Sequence, residues 1–168
     1  SRSYGYEIAE QMGWKTPDNV IVPVAGSSLI TKIWKAFHEF ECLGLLDGKV
    51  QSKIFAAQAS GCSPVTTAIK NGTDVITPVK PNTIAKSIAI GNPADGYYGV
   101  KTTQDSGGYG EDVNDKEIVL ASVLKQGSSL KYADFSFKKR QRGYSSCSNR
   151  SRLFNYWGWL SSMGWWWN

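Results

Sequence analysis

Residues 20–37 of this 168-residue chain, VIVPVAGSSLITKIWKAF, contain the pattern from which its fold class is predicted. Residues 20–24 form a short, mainly β-branched run, which is typical of a strand buried on both faces. The small residues Ala25, Gly26, Ser27 and Ser28 follow. From Leu29 onward, apolar residues recur at spacings of three and four, which predicts an amphipathic helix that ends near Gly44. The order is therefore strand, small-residue loop and helix.

The sequence on either side of this stretch repeats the alternation of strands and helices. Further strands are predicted at residues 53–58 and 109–113. Further helices are predicted at 4–12, from Ser63 as cap to Gly72, from Asn82 or Thr83 to Ile90, at 95–105, and from Asn114 to about Leu124. In the last of these, Asn114 and Glu117 have the spacing of a capping box. Strands that alternate with helices of this length predict an α/β fold with a mainly parallel sheet and flanking helices.

The loop between the predicted strand and helix has the composition of an anion-binding site. Small side chains allow close approach to the backbone, and the N–H groups at a helix N-terminus attract negative charge. Ser27 and Ser28 add hydroxyl donors. By position, this loop suits a phosphate at the carboxyl end of a parallel strand. Loop chemistry alone supports equally well a tight turn in which a serine caps the helix.

The charge of the chain divides it into two regions. Residues 1–124 carry 11 basic and 13 acidic side chains, whereas residues 125–168 carry 8 basic side chains and one acidic. Five of the seven tryptophans lie in the last twelve residues, without strand or helix periodicity. We therefore predict a partial α/β domain over 1–124 and a basic, Trp-rich tail over 125–168 that is disordered or frame-shifted. The basic pI belongs to the tail, so it does not indicate nucleic-acid binding.

Several other functional classes are disfavoured. No apolar run approaches the roughly 18 residues of a membrane span. The three cysteines, Cys42, Cys62 and Cys147, are odd in number and widely spaced, which argues against disulfides or a metal site and fits the cytoplasm. His38 is expected to pack on its helix or face solvent, and Asp112 is not expected to bind metal. The chain opens directly into a helical pattern, so we expect a fragment whose start lies upstream.

Long motifs in this chain closely resemble bacterial threonine synthases. They are SYGYEIAEQMGW (3–14), the stretch at 20–37, AAQASGCSP (56–64), VKPNTIAKSIAIGNPADGYYGVKT (79–102) and SGGYGEDVNDKEIV (106–119). The resemblance extends from residue 1 to about residue 122. It implies part of the large domain of a two-domain enzyme with the tryptophan-synthase-β-like fold. Enzymes of this family use pyridoxal 5′-phosphate (PLP) to convert O-phospho-L-homoserine and water to L-threonine and phosphate.

The resemblance also implies roles for particular residues. Ala25, Gly26, Ser27, Ser28 and Leu29 match the loop that cradles the 5′-phosphate of PLP. The family more usually has Ala-Ser-Gly-Ser where this chain has Ala-Gly-Ser-Ser, so its glycine stands one position earlier. Asn92, in Gly91-Asn92-Pro93, matches a family motif near the active site.

The Schiff-base lysine of the family lies in a Ser-Phe-Lys-Asp-Arg motif that precedes the region resembling this chain. Lys138 lies in a similar sequence, but at the wrong end and without the aspartate, so no catalytic residue is assigned. We therefore expect a chain that lacks an N-terminal domain and is inactive alone, with neither nucleic acid nor membrane as partner. The alternative is a non-catalytic phosphate-binding half-domain whose cationic tail recruits an anionic partner.

Overall fold

The computed structural model describes residues 2–127 and 153–154. Five α-helices are described: α1 (Arg2–Gln11), α2 (Ser28–Cys42), α3 (Pro64–Lys70), α4 (Gly96–Asp105) and α5 (Asp115–Gly127). Four strands are described: β1 (Asn19–Pro23), β2 (Lys53–Ala59), β3 (Gly110–Val113) and β4 (Leu153–Phe154). A short 3-10 helix covers Lys86–Ile88.

The strands form one parallel sheet in the order β3-β2-β1-β4. Val22 of β1 lies opposite Ala56 of β2, which in turn lies opposite Gly110 of β3. In parallel strands the carboxyl ends lie at one edge, so the loops after β1, β2 and β3 meet there. The predicted α/β class with a parallel sheet and flanking helices is confirmed.

The core lies between the sheet and the helices that cover it. Val20, Val22, Ile54, Ile33 and Phe37 are completely buried. Burial of such side chains contributes about 1.5–3 kcal/mol each, which makes this cluster the main stabilising feature of the domain. The prediction that β1 is buried on both faces was too strong, because Asn19 and Ile21 are only partly buried.

Most predicted elements agree with the structure to within two residues at each end. The capping box of α5 is present: the backbone N–H of Asn114 donates to Glu117 Oε2 at 3.3 Å, and the backbone N–H of Glu117 donates to Asn114 Oδ1 at 3.0 Å. The predicted cap of α3 is different. Ser63 makes no side-chain capping bond. The N–H groups of Val65 and Thr66 donate instead to Gln58 Oε1, at 2.9 and 3.0 Å.

The helix predicted from Asn82 or Thr83 to Ile90 is wrong. Apart from the 3-10 turn, residues 73–95 form an irregular segment that crosses the carboxyl edge of the sheet, and we call this segment the strap. Its backbone bonds to other loops: Asn82 N–H donates to Gly61 O at 2.9 Å, and Ile84 N–H donates to Asp115 Oδ2 at 3.0 Å. In a helix these N–H groups would bond to carbonyl oxygens of the same segment, but here they bond to residues of other loops and helices.

The predicted tail falls mostly outside the described residues. Its residues 125–127 end α5, and Leu153 and Phe154 pair in parallel with Asn19 and Val20 of β1. Within the part of the chain that the structure describes, none of the helices has the length and apolar character needed to cross a membrane.

Candidate functional site

The small-residue loop leaves the carboxyl end of β1 and enters α2, as the sequence predicts. Two bonds to β2 fix its start: Val24 N–H donates to Ala57 O at 2.8 Å, and Gln58 Nε2 donates to Val24 O at 3.2 Å. A third bond fixes the middle, where Asp95 N–H donates to Gly26 O at 3.2 Å. The loop is therefore held between β2 and the start of α4.

The N-terminus of α2 presents backbone donors at this loop. The first α2 residue whose N–H bonds back along the chain is Thr31, which donates to Ser27 O at 3.3 Å, and Thr31 Oγ1 donates to the same oxygen at 2.8 Å. The N–H groups of Ser28, Leu29 and Ile30 precede that bond and have no intrahelical acceptor. Such a group of donors, at the positive end of a 15-residue helix, is suited to an anion.

Ser27 does not cap the helix. It occupies the N-cap position, but its side chain makes no capping hydrogen bond. Its φ is 71°, in the left-handed region, and its side chain is buried at 2% exposure. Its Oγ is buried without a hydrogen-bond partner. The serine-capped turn that the sequence left open is therefore not what forms.

Gly26 and Asn92 occupy more open positions. A Cβ added to Gly26 would meet only Ile90 Cδ1, at an ordinary contact distance of 3.8 Å. Asn92 is exposed in the turn before α4, three positions before Asp95, whose N–H bonds Gly26. The structure thus places Ala25, Gly26 and Ser27 in the loop and Ser28 and Leu29 in the first turn of α2, directly after it. Asn92 lies in the segment that flanks this loop.

Gln58 is a residue of this region that sequence reasoning missed. It is 2% exposed, and its side chain joins the end of β1 to the first turn of α3 through Val24 O and the N–H groups of Val65 and Thr66. The available signal was a lone amide side chain near the end of an otherwise apolar strand. A buried amide must find partners, which makes such a residue a candidate for positioning loops.

Other candidates have structural roles. Burial raises the pKa of the Cys62 thiol, so it stays neutral at pH 7. His38 packs edge-on against Trp34 and lies 3.0 Å from Glu41 Oε2. Asp112 bonds Thr66 Oγ1 and lies 2.8 Å from Lys70 Nζ. Among residues 2–127, His, Cys, Asp and Glu side chains form no cluster of three that could hold a metal ion.

Two surface hollows lie away from the loop. One, of about 160 Å³, lies between residues 15–18 and 46–52, at the amino ends of β1 and β2. The other, of about 520 Å³, lies between α1 and α2. Neither hollow is lined by a residue of the loop. The candidate site is therefore identified by the backbone donors and small side chains of the loop and not by a cavity.

The sequence is similar to known proteins over this described domain. A family model described as "Pyridoxal-phosphate dependent enzyme" matches residues 1–124. The chain is 40% identical over 121 residues to a threonine synthase of Methanosarcina acetivorans, covering 71% of this chain and 29% of that protein. It is 41% identical over 124 residues to a threonine synthase of Methanocaldococcus jannaschii, covering 73% and 30%. The chain thus spans less than a third of the length of these relatives.

Solved structures share the fold at lower identity. A threonine deaminase from T.th. matches with a TM-score of 0.53 and 17% identity, over 73% of this chain and 42% of that one. Maize serine racemase matches with a TM-score of 0.54 and 22% identity, over 73% and 34%. These likenesses show the fold.

Proposed function

The chain belongs to the pyridoxal-phosphate dependent enzyme family, and from this premise we propose that it is part of a threonine synthase. In this proposal the intact enzyme acts in the cytoplasm on O-phospho-L-homoserine and water to give L-threonine and phosphate. PLP, when bound, supplies an electron sink for carbanion chemistry. The support comes from threonine synthases that are 40% and 41% identical to the described domain.

We propose that residues 25–29 hold the 5′-phosphate of the cofactor. The observation that carries this proposal is the set of three backbone N–H groups, of Ser28, Leu29 and Ile30, which precede the first bond of α2. They lie at the carboxyl edge of a parallel sheet, where open α/β folds usually bind ligands. The Ser28 side chain is partly exposed beside them and adds a hydroxyl donor. These groups fit a phosphate dianion.

The loop supplies binding and orientation alone. The Schiff-base lysine and the remaining cofactor pocket are proposed to lie on segments other than residues 25–29, with Asn92 contributing to the pocket from the flanking turn. A phosphate cradle without a covalent link to the cofactor cannot support the reaction. We therefore propose that this chain alone binds phosphate compounds without turnover.

Calorimetric titration with PLP, pyridoxal and inorganic phosphate tests the cradle. PLP and phosphate should compete for one site, and pyridoxal, which lacks the phosphate, should bind much more weakly. The variant Gly26→Asp places a negative charge in the loop, where the structure has room for a side chain. Gly26→Asn is the matched neutral control. The proposal predicts that the aspartate variant loses phosphate binding and that the asparagine variant keeps most of it.

Borohydride reduction in the presence of PLP, followed by peptide mapping, tests the assignment of the lysine. We expect no stoichiometrically modified lysine and no release of phosphate from O-phospho-L-homoserine. A stoichiometric adduct on Lys138, which lies outside the described residues, together with turnover would show instead that this chain carries its own catalytic lysine.

A further inference from the structure

We infer that Gly99 of α4 is a positioning residue for the anion-binding loop, acting through a matched steric pair with Ser27. The inference rests on the proposed phosphate cradle. In this proposal Gly99 does not itself contact the bound phosphate. It leaves the space in which the Ser27 side chain lies, and Ser27 in turn sets the path of the backbone into α2.

Gly99 lies so close to Ser27 that a side chain at residue 99 would clash with the Ser27 side chain. A Cβ built on Gly99 would stand 2.6 Å from Ser27 Oγ and 2.7 Å from Ser27 Cβ. Carbon atoms do not approach this closely, so residue 99 has to be glycine as long as Ser27 keeps its side chain here. The next neighbour, Ile30 Cγ2, would be 3.7 Å from that Cβ, which is an ordinary contact. The conflict therefore lies with Ser27.

Ser27 has no easy alternative position. Its left-handed φ of 71° is unfavourable for a residue with a Cβ, and its buried Oγ has no hydrogen-bond partner. Two unfavourable features at one residue persist only where the surroundings hold it, and such strain is concentrated at ligand sites. Here the surroundings include α4, because Asp95 N–H bonds Gly26 O and Gly99 N–H bonds Asp95 O at 3.0 Å.

Displacement of Ser27 would move the backbone N–H donors in the first turn of α2. Ser27 is the N-cap of α2, and its carbonyl accepts the bonds from Thr31 N and Oγ1. The N–H of Ser28 follows on the next peptide unit. A methyl group at residue 99 that pushes Ser27 away therefore rotates the first turn of α2, which carries the N–H groups of the cradle.

The test is a double-mutant cycle on the full chain, with variants Gly99→Ala, Ser27→Gly and the combination. Affinity for inorganic phosphate is measured by calorimetry and ³¹P NMR, and stability by urea unfolding. We expect Gly99→Ala to weaken phosphate binding about tenfold per folded molecule, a size typical of coupling between contacting residues. In the combination, the glycine at 27 removes both clashing atoms, so phosphate affinity should return to that of Ser27→Gly and the unfolding midpoint should reach or exceed that of Ser27→Gly.

The direction of the stability change is also diagnostic. Alanine is a better helix former than glycine, so Gly99→Ala would raise the unfolding midpoint if the clash did not exist. Gly5→Ala is the matched control, because its Cβ would stand 2.5 Å from Ala36 Cβ in the contact between α1 and α2. It should lower the midpoint, leave phosphate affinity per folded molecule unchanged, and gain nothing from Ser27→Gly.

Two results would overturn the inference in distinguishable ways. If the original chain binds phosphate and Gly99→Ala binds it equally well, or if Ser27→Gly gives no rescue, Gly99 does not position the loop. If the original chain binds no phosphate, the cradle of the proposed function fails and the positioning role fails with it. Restored stability in the double variant would then leave the two residues as a packing pair.

Discussion

At the scale of single residues, the side chain of Gln58 shows how a buried amide fixes this loop. It satisfies three main-chain groups, Val24 O and the N–H groups of Val65 and Thr66, in a place from which water is excluded. Removing the amide while keeping the volume would leave those groups unpaired. A buried unpaired group costs about 1–3 kcal/mol.

We predict that Gln58→Leu lowers the free energy of unfolding by about 2–4 kcal/mol, because several of these bonds are lost together. It should also weaken phosphate binding, because Val24 keeps only one of its two hydrogen bonds to β2, the backbone bond to Ala57. Urea unfolding and phosphate calorimetry measure the two effects. Thr67→Ala, at an exposed position on α3, is the control and should change neither quantity appreciably. Unchanged stability in Gln58→Leu would mean that the amide does not hold the loop.

The carboxylate of Glu41 is expected to make the stability of the fold depend on pH. Its carboxylate accepts the backbone N–H of Val50 at 3.1 Å and lies 3.0 Å from His38 Nδ1, and these partners, the backbone bond first, lower the pKa of Glu41 below its ordinary value. A depressed pKa in the folded state means that the ionised form is favoured by folding. Its stabilisation is present above the unfolded pKa of about 4.3 and is lost as pH falls through the lower folded value.

We therefore predict that Glu41→Gln makes the loss of stability between about pH 6 and pH 3, a range that spans that titration, shallower than in the original chain. Urea midpoints measured across this range check it. Asp105→Asn is the control, because Asp105 is an exposed carboxylate that pairs with Lys101 on the surface of α4, at 3.4 Å. Parallel pH curves for Glu41→Gln and the original chain would contradict the assigned role.

At the scale of elements, the strap is held to the N-terminus of α5 by Asp115, the first residue of that helix. Its carboxylate accepts hydrogen bonds from Thr83 Oγ1 and from Ile84 N–H, the latter at 3.0 Å, and Thr83 is buried. We predict that Asp115→Ala releases the strap, so that trypsin cleaves after Lys86 several-fold faster. Stability should fall by about 1.5–3 kcal/mol, the range for a hydrogen bond to a charged group.

Asp74→Ala is the control for the strap, because Asp74 is an exposed carboxylate on the same segment. Its cleavage rate should equal that of the original chain. Equal protection of Lys86 in Asp115→Ala would show that the strap is held elsewhere, for example through the Asn82 and Gly61 backbones.

The strap also shows where sequence reasoning failed. Elements with their own periodicity, such as α2, or with their own cap, such as α5, were predicted because the information lies within a few residues. Residues 82–90 have helical spacing too, but Asp115 and Gly61 compete for their backbone. Likewise the loop at 25–29 could be located from its small residues. The left-handed Ser27 and its dependence on Gly99 could not, because the two residues meet only after folding.

At the scale of the whole molecule, basic charge is concentrated towards the end of the chain. Among the residues whose burial is described, 2–121, the buried apolar ones lie between Ile8 and Val100. Residues 125–168 carry 8 of the 19 basic side chains and one of the 14 acidic ones. The described contact between the two parts is the pairing of Leu153 and Phe154 with β1. Two paired residues add little to a core of this size.

We therefore predict that a chain ending at residue 127 keeps cooperative unfolding and the phosphate affinity of the full chain. Its free energy of unfolding should stay within about 1 kcal/mol of that of the full chain, because a short strand pairing contributes no more than that. The full chain, but not the shortened one, should bind a heparin column at low salt, because the excess of basic residues in 125–168 attracts polyanions and salt screens this attraction. Calorimetry, unfolding and column elution separate these effects. Loss of folding or of phosphate binding on truncation would contradict this prediction. It would mean that the tail is a structured part of the domain, as the alternative of a non-catalytic phosphate-binding half-domain with a cationic interaction tail requires.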